Sequence, residues 1–297
     1  MNTYIKGIER KLDDDNRLRS TFSLQTTVTG RLSSSKPNIQ NIPKDPSVKN
    51  IFVAPPGKIL IAADYSQLEL RLLAHLSKDS FLLECFFQNR DLHDEMAREI
   101  FGANFTDRER DKVKALNFGI IYGITAFTIS QKFNISIREA QSIINRWYQR
   151  APQAKEYLEN CEKQLLTGTP FLTPFGRYRR YGIISNDDSL KNEARNFAIQ
   201  SCGSDLTLIS AINLEKPLLN FDAFSVNIIH DELLTESFNE RDKVNKIIDL
   251  TNETMMQTPI DWLQPEIIFP VDIKVGFKWG EMKKVDIATK QILPINK

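Results

Sequence analysis

Long apolar runs, paired cysteines and a surplus of charge of either sign are all missing from this 297-residue chain. Without a run of about 20 apolar residues there is no candidate for a membrane-spanning helix. The opening Met1-Asn2-Thr3-Tyr4-Ile5-Lys6 also lacks the apolar centre of a secretory signal. The three cysteines, Cys85, Cys161 and Cys202, are odd in number and far apart, outside any metal-ligand spacing. That excludes a disulfide framework and points to a reducing compartment. Lys plus Arg total 39 against 38 Asp plus Glu, a formal net charge of +1. The total gives no global argument for a polyanionic partner and leaves room for a local basic cleft. There is no internal repeat and no low-complexity tract.

What is present is an ordinary globular composition, 41% hydrophobic and 26% charged, in a chain long enough for a large core and two subdomains. Residues 1–20 read as a short charged helix stopped by the solvated run Asp13-Asp14-Asp15-Asn16, and Phe22 to Val28 as a weak strand. Ile59-Leu60-Ile61-Ala62-Ala63 is a continuous apolar strand suited to burial on both faces. Helices are expected over 80–88, over 91–101 between the cap Asp91 and the stop Gly102, and over 107–121. Another opens on a capping box at Ser136-Ile137-Arg138-Glu139, and one runs from Pro152 to Gly168. A hairpin is expected at 170–181, helices at 191–215 and 240–256, and strands at Phe224 to Ile229, Leu233 to Glu236 and Ile267 to Val275, with a tight turn at Asp231-Glu232.

Three segments carry chemistry. Asp64 ends the apolar strand, and Asp231 lies in the later turn, so the two meet only if the strand pairs beside the 224–236 hairpin. Two close carboxylates repel, and a pair of magnesium ions about 3.5–4 Å apart relieves this while stabilising attacking and leaving oxygens. Either aspartate alone reads better as a simple turn residue. Between them, Arg110, Lys114, Phe118 and Tyr122 recur every fourth residue and share one helical face. The cations suit a triphosphate and the rings a sugar and a base, although any long helix can carry a solvated basic edge. Gly119 and Gly123 would permit a hinge there. Arg31 with Asn38, Gln40 and Asn41, and Asn196 with Gln200, offer amides and a cation that can read groove acceptors or simply face water. His93 could donate to a phosphate but alone reads as a surface or capping histidine, whereas His230, directly before Asp231 in a tight turn, reads as a site residue.

Together these segments resemble the DNA polymerases of family A, the bacterial polymerase I type. The resemblance is carried by Asp64-Tyr65-Ser66-Gln67-Leu68-Glu69-Leu70-Arg71, by Arg110 to Gly123, and by Val226 to Glu232 ending His230-Asp231-Glu232. It extends to Thr29-Gly30-Arg31-Leu32-Ser33-Ser34 with Pro37-Asn38-Ile39-Gln40-Asn41-Ile42-Pro43, to Asp91-Leu92-His93, to Asn196 to Gln200, and to Val275-Gly276 with Trp279-Gly280-Glu281. The matches run in family order from about residue 22 to the end. The chain departs from the family at Lys44-Asp45-Pro46, where a basic stretch is common, and at Asn192, where an arginine is common.

The resemblance implies an α+β fold, an antiparallel-sheet palm interrupted by a long helical fingers insertion, with the thumb absent. Residues 1–77 and 191–297 would form the palm and 78–190 the fingers. The implied activity is DNA-directed DNA synthesis at a primer 3′ end with two Mg2+ ions held by Asp64 and Asp231. Arg110, Lys114, His93 and Gln67 would hold the deoxynucleoside triphosphate, and Lys114 would protonate the leaving pyrophosphate. Phe118 would pack on the sugar, Tyr122 would stack at the insertion site, and Glu69 would exclude a 2′-hydroxyl. Arg31, Asn38, Gln40, Asn41, Asn196, Gln200 and His230 would track primer–template DNA, with Glu232 a further carboxylate. The implied setting is the cytoplasm of a bacterial or phage-infected cell, with no membrane partner. Because the chain opens with a methionine and a short helix at 2–12, a second polypeptide is expected to supply the thumb or exonuclease. The alternative is a primer–template-binding subunit that is inactive until that second chain joins.

Overall fold

The computed structural model describes residues 2–43, 45–181 and 187–292. Lys44, part of one departure from the family pattern, lies outside the described residues. The elements in chain order are α1 (Asn2–Glu9), β1 (Thr21–Ser23), β2 (Ser33–Ser35), α2 (Pro46–Lys49), β3 (Lys58–Tyr65), α3 (Leu68–Ser77), α4 (Ser80–Phe87), α5 (Leu92–Phe101), α6 (Asp107–Ile120), α7 (Ala126–Phe133), α8 (Ile137–Arg150), α9 (Pro152–Thr167), β4 (Phe171–Leu172) and β5 (Tyr178–Arg179). They continue with α10 (Asp188–Leu219), β6 (Phe224–Ile229), β7 (Glu232–Phe238), α11 (Arg241–Leu263), β8 (Val271–Gly276) and β9 (Lys283–Lys284). The fold mixes helices with antiparallel sheet. The chain forms two compact units, one of residues 1–66, 204–261 and 269–297, the other of residues 67–203 and 262–268. Among the described residues no helix is long and apolar enough to cross a membrane.

The first unit is built on a five-stranded antiparallel sheet of order β6-β7-β3-β8-β9. β3 is its middle strand because Ile59 to Ala63 can be buried on both faces. Alternation sends Leu60 and Ala62 into a cluster with Ile42, Val48, Leu234 and Trp279. The opposite face carries Tyr65, whose hydroxyl donates to the Met255 carbonyl of α11 at 2.6 Å and lies 2.9 Å from the Ser210 hydroxyl of α10. The tyrosine has one proton to give, so Ser210 is the donor in the second bond. Glu236 of β7 takes Arg17 at 2.8 Å and Lys58 at 2.7 Å, which ties the N-terminal segment to the sheet.

Several local expectations need correction. The first helix stops at Glu9, and Arg19 draws Asp13 and Asp15 into ion pairs at 2.6 and 2.7 Å, so the acidic run closes a turn and does not simply face water. The strand at 22–28 shrinks to β1, because the Ser23 hydroxyl accepts from Thr26 and Gln25 and turns the chain. The helix expected over 240–256 runs on through Pro259 to Leu263 as α11. The hairpin turn is His230-Asp231, with His230 left-handed at φ 58° and Glu232 already paired in β7. At Ser136 only half of the capping box forms: Ser136 accepts from the Glu139 N–H at 3.1 Å, while the Glu139 carboxylate goes to the buried Lys112 ammonium at 3.2 Å. A buried cation needs a partner more than an exposed N–H that water can satisfy. The complete box is at Thr106 and Glu109, opening α6.

One buried carboxylate joins two helices of the second unit. Asp79, with no exposed surface, caps α4 by accepting from Phe81 and Leu82 N–H through Oδ1, both at 3.1 Å. Its Oδ2 accepts from Gln153 and Ala154 N–H at 3.0 and 3.2 Å, capping α9, whose own Ala151 cap has no side-chain acceptor. Asp79→Ala should therefore cost about 2–4 kcal/mol, two caps lost together and four donors left buried. Asp79→Asn should recover at most half, since its NH2 faces N–H groups. Urea unfolding of the three proteins checks both values.

Candidate active site

The first group of site residues follows from strand register. Asp64 of β3 sits opposite Glu232 of β7 and opposite Asp272 of β8. Residues in register project to the same face, so a row of three carboxylates crosses three neighbouring strands. Asp231 lies in the turn that leads into Glu232. Burial, then the charges of Asp231 and Glu232, push the Asp64 carboxyl up to about 8, with Asp272 adding to the rise and Lys274 opposing it. Glu232 is steadied by the Trp279 indole N–H at 3.2 Å, and Asp272 is neutralised by Lys284 at 2.6 Å. Asp64 Oδ1 is buried with no hydrogen-bond partner among the described residues. An orphaned carboxylate oxygen facing further carboxylates suits a divalent cation. No cluster of three or more His, Cys, Asp or Glu able to hold a metal unaided occurs among the described residues. Two aspartates still fit magnesium, which commonly takes only one or two carboxylates beside waters and substrate phosphates.

The same unit gathers Arg31, Gln40 and His230 around one recess, with Leu32, Ser204, Leu208 and Ile228. The loop carrying the first two is held from inside. Ser204 Oγ donates to the Gly30 carbonyl at 2.9 Å, and Gln40 Nε2 donates to the Ile228 carbonyl of β6 at 2.9 Å. Asn38 has its carbonyl oxygen engaged by the Ser34 hydroxyl and by the N–H groups of Gln40 and Asn41. Asn38 thus shapes the loop, and neither it nor exposed Asn41 lines the recess. At the family departure, Asp45 caps α2 by accepting from Ser47 N–H at 2.9 Å.

In the second unit, α5 and α6 bring Arg110, His93 and Phe118 together. Arg110 pairs with Asp91 at 2.8 Å and with Asp94. The His93 and Phe118 ring centroids lie 5.7 Å apart. Burial holds the His93 imidazole below its ordinary pKa, and its Nδ1 lies 2.8 Å from Asn117 Nδ2. Lys114 is exposed on α6, and Phe118 is 44% exposed. Tyr122 is not on the helix with them: α6 ends at Ile120, and Tyr122 sits in the following turn. There its one hydroxyl proton is shared between the two Glu69 oxygens, at 2.7 and 2.8 Å. Gln67 is left-handed at φ 53° ahead of α3, with Oε1 buried and unpartnered among the described residues. Asn196 and Gln200 are half-buried on α10. A Cβ at Gly119 would lie 2.5 Å from the Ile124 side chain, and at Gly123, itself left-handed at φ 67°, it would lie 1.8 Å from Asn192 Oδ1.

Sequence reasoning missed Asn117 and Trp147 behind His93, the pairing of Asp91 and Asp94 with Arg110, and Asp272 beside Asp64. One signal was readable: Asn117 interrupts the buried stripe Val113, Leu116 and Ile120 of α6, where a polar side chain needs a specific partner.

The model of DNA polymerase family A matches residues 1–281. DNA polymerase I of Caldicellulosiruptor bescii is 35% identical over 95% of this chain and 34% of its own length. That of Helicobacter pylori is 32% identical over 95% of this chain and 32% of its own. The chain therefore spans about a third of the length of these curated relatives. Among solved structures, the POL domain of Pol1 from M. smegmatis, in complex with DNA primer-template and dNTP, superposes with a TM-score of 0.85 at 28% identity, over 94% of this chain and 51% of that one. Relatives matched along nearly the whole chain, and a family model that takes in both carboxylate segments and the α6 residues between them, allow one assignment: the chain belongs to DNA polymerase family A.

Proposed function

We propose that the chain is the palm and fingers of a DNA-directed DNA polymerase, adding deoxynucleotides to a primer 3′ end. Residues 1–77 and 191–297 would be the palm and 78–190 the fingers. The observation that carries the reading is the carboxylate row, in which Asp64 holds a buried, unpartnered oxygen among like charges. Asp64 and Asp231 would hold two Mg2+ ions, which when bound activate the primer hydroxyl and stabilise the charge on the transferring phosphoryl group.

The remaining roles fall to the chain's own groups. Arg110, Lys114, His93 and Gln67 would bind the triphosphate, and Lys114 would deliver a proton to the departing pyrophosphate. Phe118 would pack on the sugar and Tyr122 at the insertion site, while Glu69 would deny space to a 2′-hydroxyl. Arg31, Gln40 and His230, gathered round one recess, would contact primer–template DNA. Asn38 would stiffen their loop, and Asn41, Asn196 and Gln200 would add amide contacts.

The test is primer extension by the purified chain with and without Mg2+, with Asp231→Ala beside it. We expect metal-dependent single-nucleotide addition that falls about a thousandfold in Asp231→Ala. Equal rates in the two proteins would overturn the assignment. The net charge of +1 favours a second reading, in which duplex is held only with a second polypeptide, since non-specific affinity rests on phosphate neutralisation. Addition that appears only when such a partner is supplied would select it.

A further inference from the structure

We propose that Asn117, oriented by Trp147, is a positioning residue that fixes His93 as an uncharged Nε2–H donor for a triphosphate. The inference rests on the nucleotide reading above and deepens it.

The chain of reasoning starts at a group with no choice. The Trp147 indole N–H can only donate, and Trp147, on α8, has no exposed surface. It lies 2.6 Å from Asn117 Oδ1, so the oxygen end of that amide faces the indole. The NH2 end must then face His93, where Nδ2 lies 2.8 Å from the ring Nδ1. An NH2 group cannot accept, so Nδ1 carries no proton. The neutral ring therefore holds its proton on Nε2. Asn117 is itself wholly buried within the apolar stripe of α6. Such a burial is tolerated because both ends of the amide are satisfied.

The surroundings say what the donor is for. His93 is in the first turn of α5, whose cap Asp91 also receives Arg110. The charged groups acting on the ring are Asp91 and Asp94 from α5, and Arg110 and Lys114 from α6. Burial favours the neutral ring over the cation. A neutral N–H contributes direction to phosphate recognition, while Arg110 and Lys114 contribute charge. The opposite tautomer would present a lone pair to the phosphate and repel it.

The experiment has a spectroscopic arm and a binding arm. In 15N-histidine-labelled chain, the His93 signal is the one lost in His93→Gln among three histidines. It should report the Nε2–H tautomer in the parent. Asn117→Asp replaces the NH2 by an acceptor and should turn the ring to the Nδ1–H or the doubly protonated form. Trp147→Phe keeps an aromatic ring on α8 and removes the anchor, and should give a tautomer mixture even if Asn117→Asp folds poorly. With inorganic triphosphate as probe, affinity should fall about tenfold in Asn117→Asp and about threefold in Trp147→Phe. An Nδ1–H tautomer in the parent, or variants with unchanged tautomer and affinity, would overturn the inference. A parent with the expected tautomer and no triphosphate affinity would instead overturn the nucleotide reading.

Discussion

Asp64→Asn, freed of divalent cation, should melt higher than the parent at pH 8 and yet extend primers at least about a thousandfold more slowly. The gain comes from removing a charge that is buried and also set among other carboxylates. Asp64 faces Glu232 and Asp272 in register, with Asp231 beside them. A directly opposed like charge costs up to about 1 kcal/mol, and Lys284 offsets the charge of Asp272, so removing the central one should return about 1–2 kcal/mol, or about 2–3 °C for a chain of this size. The sign follows from the direction of the shift. The folded-state pKa lies above the ordinary 3.8, at about 8. Between those values the folded chain holds a proton that the unfolded chain has released, and parent stability falls as pH rises through this window. The advantage of Asp64→Asn should thus be absent near pH 4, grow towards pH 8 and then level off. Added Mg2+ should raise the melting temperature of the parent more at pH 8 than at pH 5, and should do little for Asp64→Asn. Scanning calorimetry across that range, with and without metal, checks the stability; single-nucleotide insertion checks the rate. A parent whose stability is flat from pH 4 to 8 would remove the cation argument.

The second large effect is expected in sugar selection. The Tyr122 hydroxyl proton is shared between the two Glu69 oxygens, so the carboxylate is held at one place although its surroundings are partly open. Glu69→Ala should raise ribonucleotide incorporation relative to deoxynucleotide by on the order of a hundredfold, about 2.7 kcal/mol of lost discrimination. Tyr122→Phe keeps the ring and removes the hydroxyl. It should raise the same ratio by about tenfold, because the Glu69 carboxylate then loses the hold of that hydroxyl. Insertion ratios for a matched ribo- and deoxynucleotide pair decide the matter. If Tyr122→Phe left the ratio at the parental value while Glu69→Ala raised it, Glu69 would act without its tether.

Much of the architecture around the carboxylates was readable in one dimension. Ile59 to Ala63 is apolar at every position, and a strand with no polar face has to lie inside a sheet. The 224–238 hairpin carries its own turn. Asp91 and Gly168 start and end helices through backbone groups a few residues away. The spacing by four of Arg110, Lys114 and Phe118 is likewise a property of one helix, and it survives as one face of α6. Tyr122 falls outside that pattern because the chain turns after Ile120, where Gly119 accepts Ile124 against its bare Cα.

The sequence by itself determined the family, the buried central strand and the identities of the charged and aromatic groups, because each of these is written in local order. Only the tertiary structure decided which groups answer one another. Asp272 opposes Asp64 from a strand about two hundred residues later. Asp79 caps a helix that begins at Pro152, and Trp147 sets the amide of Asn117, which sets the ring of His93. Hydrogen bonds and like-charge contacts act over a few ångströms of space, and neither spacing nor composition carries that distance when the partners lie in separate elements.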